Sequence, residues 1–286
     1  DNIEIYTNKE DNTVKLISLS AQFNLLSLPA DEFPVLYPLI GETNFTIRDN
    51  ILRDLIKKTV FAASNDEARP VFTGALLEVV DSEVLMVATN THRLALKKEN
   101  LDNITNNIKV IIPSKILNEL ARIMVSEIPS PIKITCHHNQ ISFSFDNIYI
   151  ISRIIEGQFP DYQRVIPPNF ATTVAIKTAD FSSAVERVSL ISRDGDYNVV
   201  KLAFRNNEIL ITSNNPEVGK AEEAIAANIE GNELEIAFNA KYIVDILKNI
   251  DDEKIFFTLN TPLSPASIKP ENDENYNYII TPVRSN

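Results

Sequence analysis

Apolar positions along this chain follow two rhythms. Short alternating or β-branched runs at 14–19, 71–79, 84–88, 108–112, 132–136, 141–145, 148–154, 199–204, 208–213, 233–238, 254–259 and 276–281 predict strands, because side chains of an extended backbone alternate between two faces. Four segments, near 50–62, 114–125, 180–192 and 240–250, instead carry the 3.6-residue spacing of a helix with one apolar stripe. Ile51, Leu52, Leu55, Ile56 and Val60 form the first stripe and leave Arg53 and Lys57 on the solvated face. Ile116, Leu117, Leu120 and Ile123 form the second, with Lys115 and Arg122 outside it. Phe181, Ala184, Val185 and Val188 form the third, with Arg187 exposed. Tyr242, Ile243, Ile246, Leu247 and Ile250 form the fourth, with Lys241 and Lys248 outside. Many strands and few helices, without strict alternation, indicate an α+β fold with antiparallel sheets.

The pattern repeats. Phe33-Pro34 and Phe159-Pro160 each follow a strand-like run; Thr89-Asn90 and Ser213-Asn214 each end a strand; Pro113-Ser114-Lys115 and Asn239-Ala240-Lys241 each open a helix. These landmarks keep their order and nearly their spacing, so two copies are expected, at about 42–164 and 165–286, each with two helices among seven or so strands. Residues 1–41 match only the last third of a copy, a closing hairpin and the Phe-Pro exit. The chain opens at Asp1, inside a strand-like run, and is expected to be a fragment of a longer protein.

Charge changes the picture through its distribution. The net charge is −12, which alone argues against a nucleic-acid partner. The four helical segments are nonetheless net positive, so the rest of the chain carries more than the whole negative excess. Mildly basic helices on strongly acidic sheets give a one-faced affinity for polyanions, although any solvated helix face holds lysines. The single cysteine, Cys136, excludes a disulfide framework and fits a reducing cytosol, so a cytoplasmic location is expected. No apolar run reaches the ~18 residues of a membrane span. Six scattered glycines supply no phosphate-cradling loop.

Catalytic readings fare poorly. His92 beside Thr91 suggests a hydrolase, but adjacency supplies neither a base within reach of a nucleophile nor a group to orient it. Cys136-His137-His138 lies in a strand, where neighbours face opposite sides, and no second cluster completes a tetrahedral metal set. Asp251-Asp252-Glu253 reads as a solvated turn after a helix. No enzymatic activity, cofactor or metal is expected.

Several runs carry a resemblance. Arg69-Pro-Val-Phe-Thr-Gly-Ala-Leu-Leu-Glu78, Val87-Ala-Thr-Asn-Thr-His-Arg-Leu-Ala95, Ile155-Glu-Gly-Gln-Phe-Pro-Asp-Tyr-Gln-Arg-Val165, Phe238-Asn-Ala-Lys-Tyr242 and Tyr278-Ile-Ile-Thr-Pro-Val-Arg284 closely resemble the bacterial DNA polymerase III β subunit, the sliding-clamp family. The resemblance spans the chain. It implies tandem clamp domains with antiparallel outer sheets and two inner helices each, the second domain at 42–164, the third at 165–286, and 1–41 as the end of a first domain. It implies a processivity factor that, when full length, closes head to tail as a homodimer around duplex DNA without reading sequence. Arg53, Lys57, Lys115, Arg122, Arg187, Lys241 and Lys248 would then face the DNA.

The same resemblance implies a cleft between the second and third domains for linear peptides of the polymerase III α subunit, the clamp loader, other DNA polymerases and repair proteins. Its wall would comprise Phe72, Thr89, His92, Arg93 and Leu94, then Pro160, Arg164 and Val165. Tyr197, Asn239, Tyr242, Leu263 and Pro265 would follow, with Ile279, Thr281, Pro282, Val283 and Arg284 at the chain end. Such a surface can bury a leucine or phenylalanine of a partner, worth ~1.5–3 kcal/mol each, while Arg93, Arg164 and Arg284 hold acceptors at the rim. Asn90-Thr91 departs from the family's Asp-Gly, and a β-branched residue suits positive φ badly; Ser285-Asn286 extend past the family's usual end. A second reading is a linear-motif-binding module that does not encircle DNA.

Overall fold

A computed structural model describes every residue except 1, 36, 42, 102–106, 126–127, 193–197 and 285–286. The chain divides by internal contacts into Asp1–Pro38 and Leu39–Asn286. The smaller unit is an antiparallel meander of β1 (Glu4–Asn8), β2 (Thr13–Ser18) and β3 (Ala21–Leu26). Asn12 and Leu19 turn it with left-handed backbones, both at φ 52.

The larger unit holds the two copies. The first runs β4 (Thr43–Arg48), α1 (Asp49–Thr59), β5 (Gly74–Val80), β6 (Glu83–Thr89), β7 (Arg93–Asn100), β8 (Ile108–Pro113), α2 (Ser114–Ile123), β9 (Pro131–His137), β10 (Gln140–Phe145) and β11 (Ile148–Arg153). The second runs β12 (Thr172–Lys177), α3 (Thr178–Ser189), β13 (Val199–Arg205), β14 (Glu208–Asn215), β15 (Gly219–Ala226), β16 (Asn228–Gly231), β17 (Leu234–Asn239), α4 (Ala240–Leu247), β18 (Lys254–Leu259), β19 (Ala266–Pro270) and β20 (Tyr276–Ile280).

Sheet order makes the duplication visible. The first copy orders its strands β11-β10-β9-β4 and β7-β6-β5-β8; the second orders them β20-β19-β18-β12 and β15-β14-β13-β17, with β16 added beside β12. All these pairings are antiparallel. The copies are joined by one further antiparallel pairing, from Tyr276 opposite Lys97 to Ile280 opposite Arg93, which fuses a sheet from each into nine continuous strands.

Burial follows from that junction. Ala75 and Leu77 of β5, and Val84, Met86 and Ala88 of β6, enter the main core beneath the helices. Leu76, Leu85 and Val87 point the other way, into a smaller cluster with Leu94, Leu96, Ile111, Phe159 and Ile279 that the 154–166 segment covers. Strands buried on both faces read as continuous apolar runs. In the second copy Phe257 packs at 5.6–6.1 Å from the rings of Phe181, Phe204 and Phe238.

An ion cluster closes one end of the junction. The ammonium of Lys97, only 3% exposed, lies 2.9 Å from both oxygens of Asp273, and that of Lys58 lies 3.1 Å from Asp273 Oδ2. Burial disfavours the Asp273 charge, but these two cations outweigh it and hold the carboxyl below its usual range.

Helix starts have local causes. Asp49 Oδ1 accepts from the backbone of Asn50 and of Ser130, tying α1 to the loop before β9. Asn239 caps α4 by accepting from Lys241 N. Elsewhere the structure corrects the expectation. The run at 71–79 becomes strand only from Gly74, because Pro70 opens a 3-10 turn over Pro70–Thr73. Ile123, expected in a buried stripe, is 39% exposed: α2 ends there and Met124 turns inward instead. Arg53 is half-buried rather than solvated, with Nε enclosed and lacking a partner among the described residues. His138 lies in the turn after β9, not in the strand, and its ring meets that of His137 at 4.1 Å.

Candidate functional site

The turn from Thr89 to Arg93 links β6 to β7 at the open end of the smaller apolar cluster. Thr89 Oγ1 donates to Arg93 O at 2.7 Å and accepts from Thr91 N at 3.1 Å. Asn90 Oδ1 accepts from His92 N and Arg93 N, while Asn90 Nδ2 donates to Tyr242 Oη of α4 at 3.2 Å. Held this way, Thr91 adopts φ 77, the left-handed conformation that the sequence marked as unfavourable for threonine.

Arg93 is expected at a rim but is buried, 7% exposed, where the two copies meet. Its guanidinium donates to Asp245 Oδ2 at 2.6 Å and to Phe61 O, and stacks 4.5 Å over the Tyr242 ring. Spent on these contacts, it holds copy to copy. The chain end completes the joint: Thr281 N and Oγ1 donate to His92 O at 2.9 and 2.8 Å, while Val283 N to Ala237 O and Tyr278 Oη to Tyr242 O fasten that end within the second copy.

Beside this joint lies a cavity of about 200 Å³. Phe72, Thr89, Arg93, Leu94, Pro160, Val165, Ile279 and Thr281 line it, all expected, together with Thr91, Asp161 and Tyr162, which the sequence reading did not include. Tyr162 fastens the covering segment: its hydroxyl donates to Glu78 Oε2, and burial with the Glu78 charge pushes its pKa up to about 12. Leu263, Val283 and Arg284 line a different cavity of about 320 Å³ with Lys201, Glu235, Ile236, Ala237 and Pro262. The expected single cleft is therefore two cavities on the described surface. Tyr242 and Asn239 lie behind the first as stacking partner and helix cap, and His92 contributes its carbonyl. Arg164 is solvent-facing and paired with Asp161. Pro265 and Pro282 line neither cavity, and Tyr197 lies outside the described residues, as do Ser285-Asn286.

The four helices pack in two pairs. α1 packs on α2 and α3 on α4. A hollow of about 330 Å³ between the pairs is lined by Ser114 and Asn118 of α2 and by Lys241, Asp245 and Lys248. Lys57, Lys115, Arg122, Arg187, Lys241 and Lys248 are all exposed. Several are partly neutralised: Arg187 forks onto Glu223, Lys248 meets Glu186, Lys241 meets Asp245 and Arg122 meets Glu119. Lys57 and Lys115 have no ion pair among the described residues.

Comparison with known proteins decides the family. Residues 46–161 match the model of the DNA polymerase III beta subunit, central domain, and 163–284 match that of its C-terminal domain. The beta sliding clamp of Staphylococcus epidermidis is 36% identical over 284 residues, 99% of this chain and 75% of that protein. The chain belongs to the beta sliding clamp family. The crystal structure of the sliding clamp from Bacillus subtilis superposes with a TM-score of 0.91 at 37% identity, and the DNA polymerase III beta chain of Streptococcus pneumoniae with 0.92 at 30%. Each covers 99% of this chain and 75% of its own.

As a sliding clamp, the protein serves the replicative DNA polymerase as a processivity factor and is not an enzyme. His92 is exposed, and its hydrogen bonds run through its backbone. Among the described residues no group of three His, Cys, Asp or Glu could hold a metal ion. Burial pushes the Cys136 thiol up to about 11, which keeps it un-ionised at neutral pH. No helix in the described residues is long and apolar enough to cross a membrane. The cavity residues that the sequence reading missed sit inside motifs that carried the resemblance, Thr91 in 87–95 and Asp161 and Tyr162 in 155–165. Lys201, Glu235, Ile236 and Ala237 belong to β13 and β17, whose pairing, with Lys201 opposite Ala237, sets them side by side and is not written in either strand alone.

Proposed function

We propose that this clamp encircles duplex DNA with its helices inward, and that the two cavities act as one docking cleft for linear peptides. Partners would be the polymerase III α subunit, the clamp loader, other DNA polymerases and repair proteins, in the bacterial cytoplasm where DNA is copied. Module boundaries fall at 42–164 and 165–286, with 1–41 as the closing part of a preceding module.

The observation that carries the ring is the β7–β20 junction. By the shared sheet order, β15 occupies in the second copy the place of β7, and β11 in the first copy the place of β20. Both are edge strands of their sheets. Repeating one head-to-tail contact through such edges generates a closed ring when the rotation closes. Enclosure would supply residence on DNA, so the phosphate contacts of Arg53, Lys57, Lys115, Arg122, Arg187, Lys241 and Lys248 need not be tight or sequence-reading.

The decisive experiment compares retention of the full-length protein on circular and linearised duplex. A ring stays on the circle and runs off free ends; equal loss from both, with peptide binding intact, would favour the motif-binding module instead. For the cleft, Phe72→Ala and Val165→Asp in the first cavity and Leu263→Ala in the second are each expected to weaken a labelled partner peptide at least about tenfold, one lost anchor being worth ~1.5–3 kcal/mol. Unchanged affinity in all three would exclude the site.

A further inference from the structure

We propose that Thr91 determines which peptides the first cavity accepts: its hydroxyl hydrogen-bonds one backbone amide of the bound segment, while its branched methyl narrows the mouth. This rests on the cleft reading above.

Four residues that carry hydroxyls line the cavity: Thr89, Thr91, Tyr162 and Thr281. Three are committed: Thr89 donates to Arg93 O, Tyr162 to Glu78, and Thr281 to His92 O. Among the described residues the Thr91 hydroxyl has no partner, and the side chain is exposed. The remaining wall is largely apolar, from Phe72, Leu94, Pro160, Val165 and Ile279, and Asp161 is paired with Arg164. An extended peptide that buries an apolar side chain there brings its own amide groups to the mouth, where each needs a partner or keeps its water.

The conformation supports a functional reading. A β-branched residue at φ 77 is a rare outlier, and such outliers persist where the surroundings over-determine them. Here the Thr89 and Asn90 side chains hold the turn from within, and Tyr242 holds Asn90 from α4. The Thr91 backbone is thereby fixed, so binding spends little entropy on ordering the segment that carries the hydroxyl. The volume of about 200 Å³ is below the ~300–1,000 Å³ of small-molecule pockets and suits one side chain of a peptide.

The test uses the full-length protein and a labelled pentapeptide of alanine with leucine and phenylalanine anchors, in a series that replaces one backbone amide at a time by an ester. In the wild type and in Thr91→Ser, an ester at one position is expected to cost on the order of fivefold in affinity, the worth of one hydrogen bond. In Thr91→Val, which keeps the shape and loses the hydroxyl, that same ester is expected to cost nothing further. An ester profile for Thr91→Val that matches the wild type at every position would overturn the proposal. Should Val165→Asp bind all these peptides as tightly as the wild type does, the cleft reading itself fails, and this assignment with it.

Discussion

At the scale of single residues, Arg93 and Thr91 show what a sequence conceals. An arginine beside a cleft motif reads as a surface cation, yet Phe61, Tyr242 and Asp245 enclose its guanidinium. Those partners lie far from it in the chain, so nothing within the Thr89–Leu94 run reports its burial. Removing Asp245 leaves that charge uncompensated, and Asp245→Ala is expected to cost about 3 kcal/mol in denaturant unfolding. Thr91 was legible in part, since its unsuitability for positive φ follows from branching at Cβ alone. Relief of that strain predicts that Thr91→Gly raises stability by about 1 kcal/mol. A loss of stability in the same assay would mean that the branched side chain earns more in packing than its backbone costs.

At the scale of elements, the stripes of α1, α3 and α4 and the apolar runs of β6, β10 and β13 were plain, because one buried face leaves a period in the sequence. The strands that escaped notice were β4, β7, β12, β15, β16 and β19. β7 carries Lys97-Lys98-Glu99 in a position that looks solvated; Glu99 meets Lys97 within the strand, and the pairing with β20 adds Asp273, which buries it. β15 turns only Ala221 and Ile225 toward the core, half-buried and with Glu223 between them, so its inner face leaves no apolar period. The Asp273 cluster also makes an acid-sensitive contribution. Its carboxyl titrates lower folded than unfolded, so the stabilisation is complete above the unfolded value near pH 4 and is lost as pH falls through the folded one. Asp273→Asn is therefore expected to lower stability by about 3 kcal/mol at neutral pH and to flatten the acid limb of the stability curve. Parallel acid limbs for variant and wild type would contradict this.

At the scale of the whole molecule, the duplication read from three pairs of landmarks reappears as a shared strand order, although the added β16 had no signature of its own. The basic helix faces were also legible, but their neutralisation was not: Glu223 on β15 answers Arg187 on α3 across the fold. Lys57 and Lys115, exposed and without an ion pair among the described residues, are thus the sharper test of the DNA-facing helices. Charge reversal at both in the full-length protein is expected to shorten sliding residence on circular DNA and lower the log–log salt slope by roughly one per lysine. Peptide affinity should stay as it was; the opposite pattern would assign these lysines to partner docking.

The β7–β20 junction has a mechanical corollary. Its ladder lies across the line along which one module would flex against the other, so bending there means tearing several bonds together, with the Arg93 and Lys97 clusters straining at either flank. The pair is a stiff arc. In the proposed ring, whatever compliance is needed to admit duplex DNA would reside at other junctions than this one.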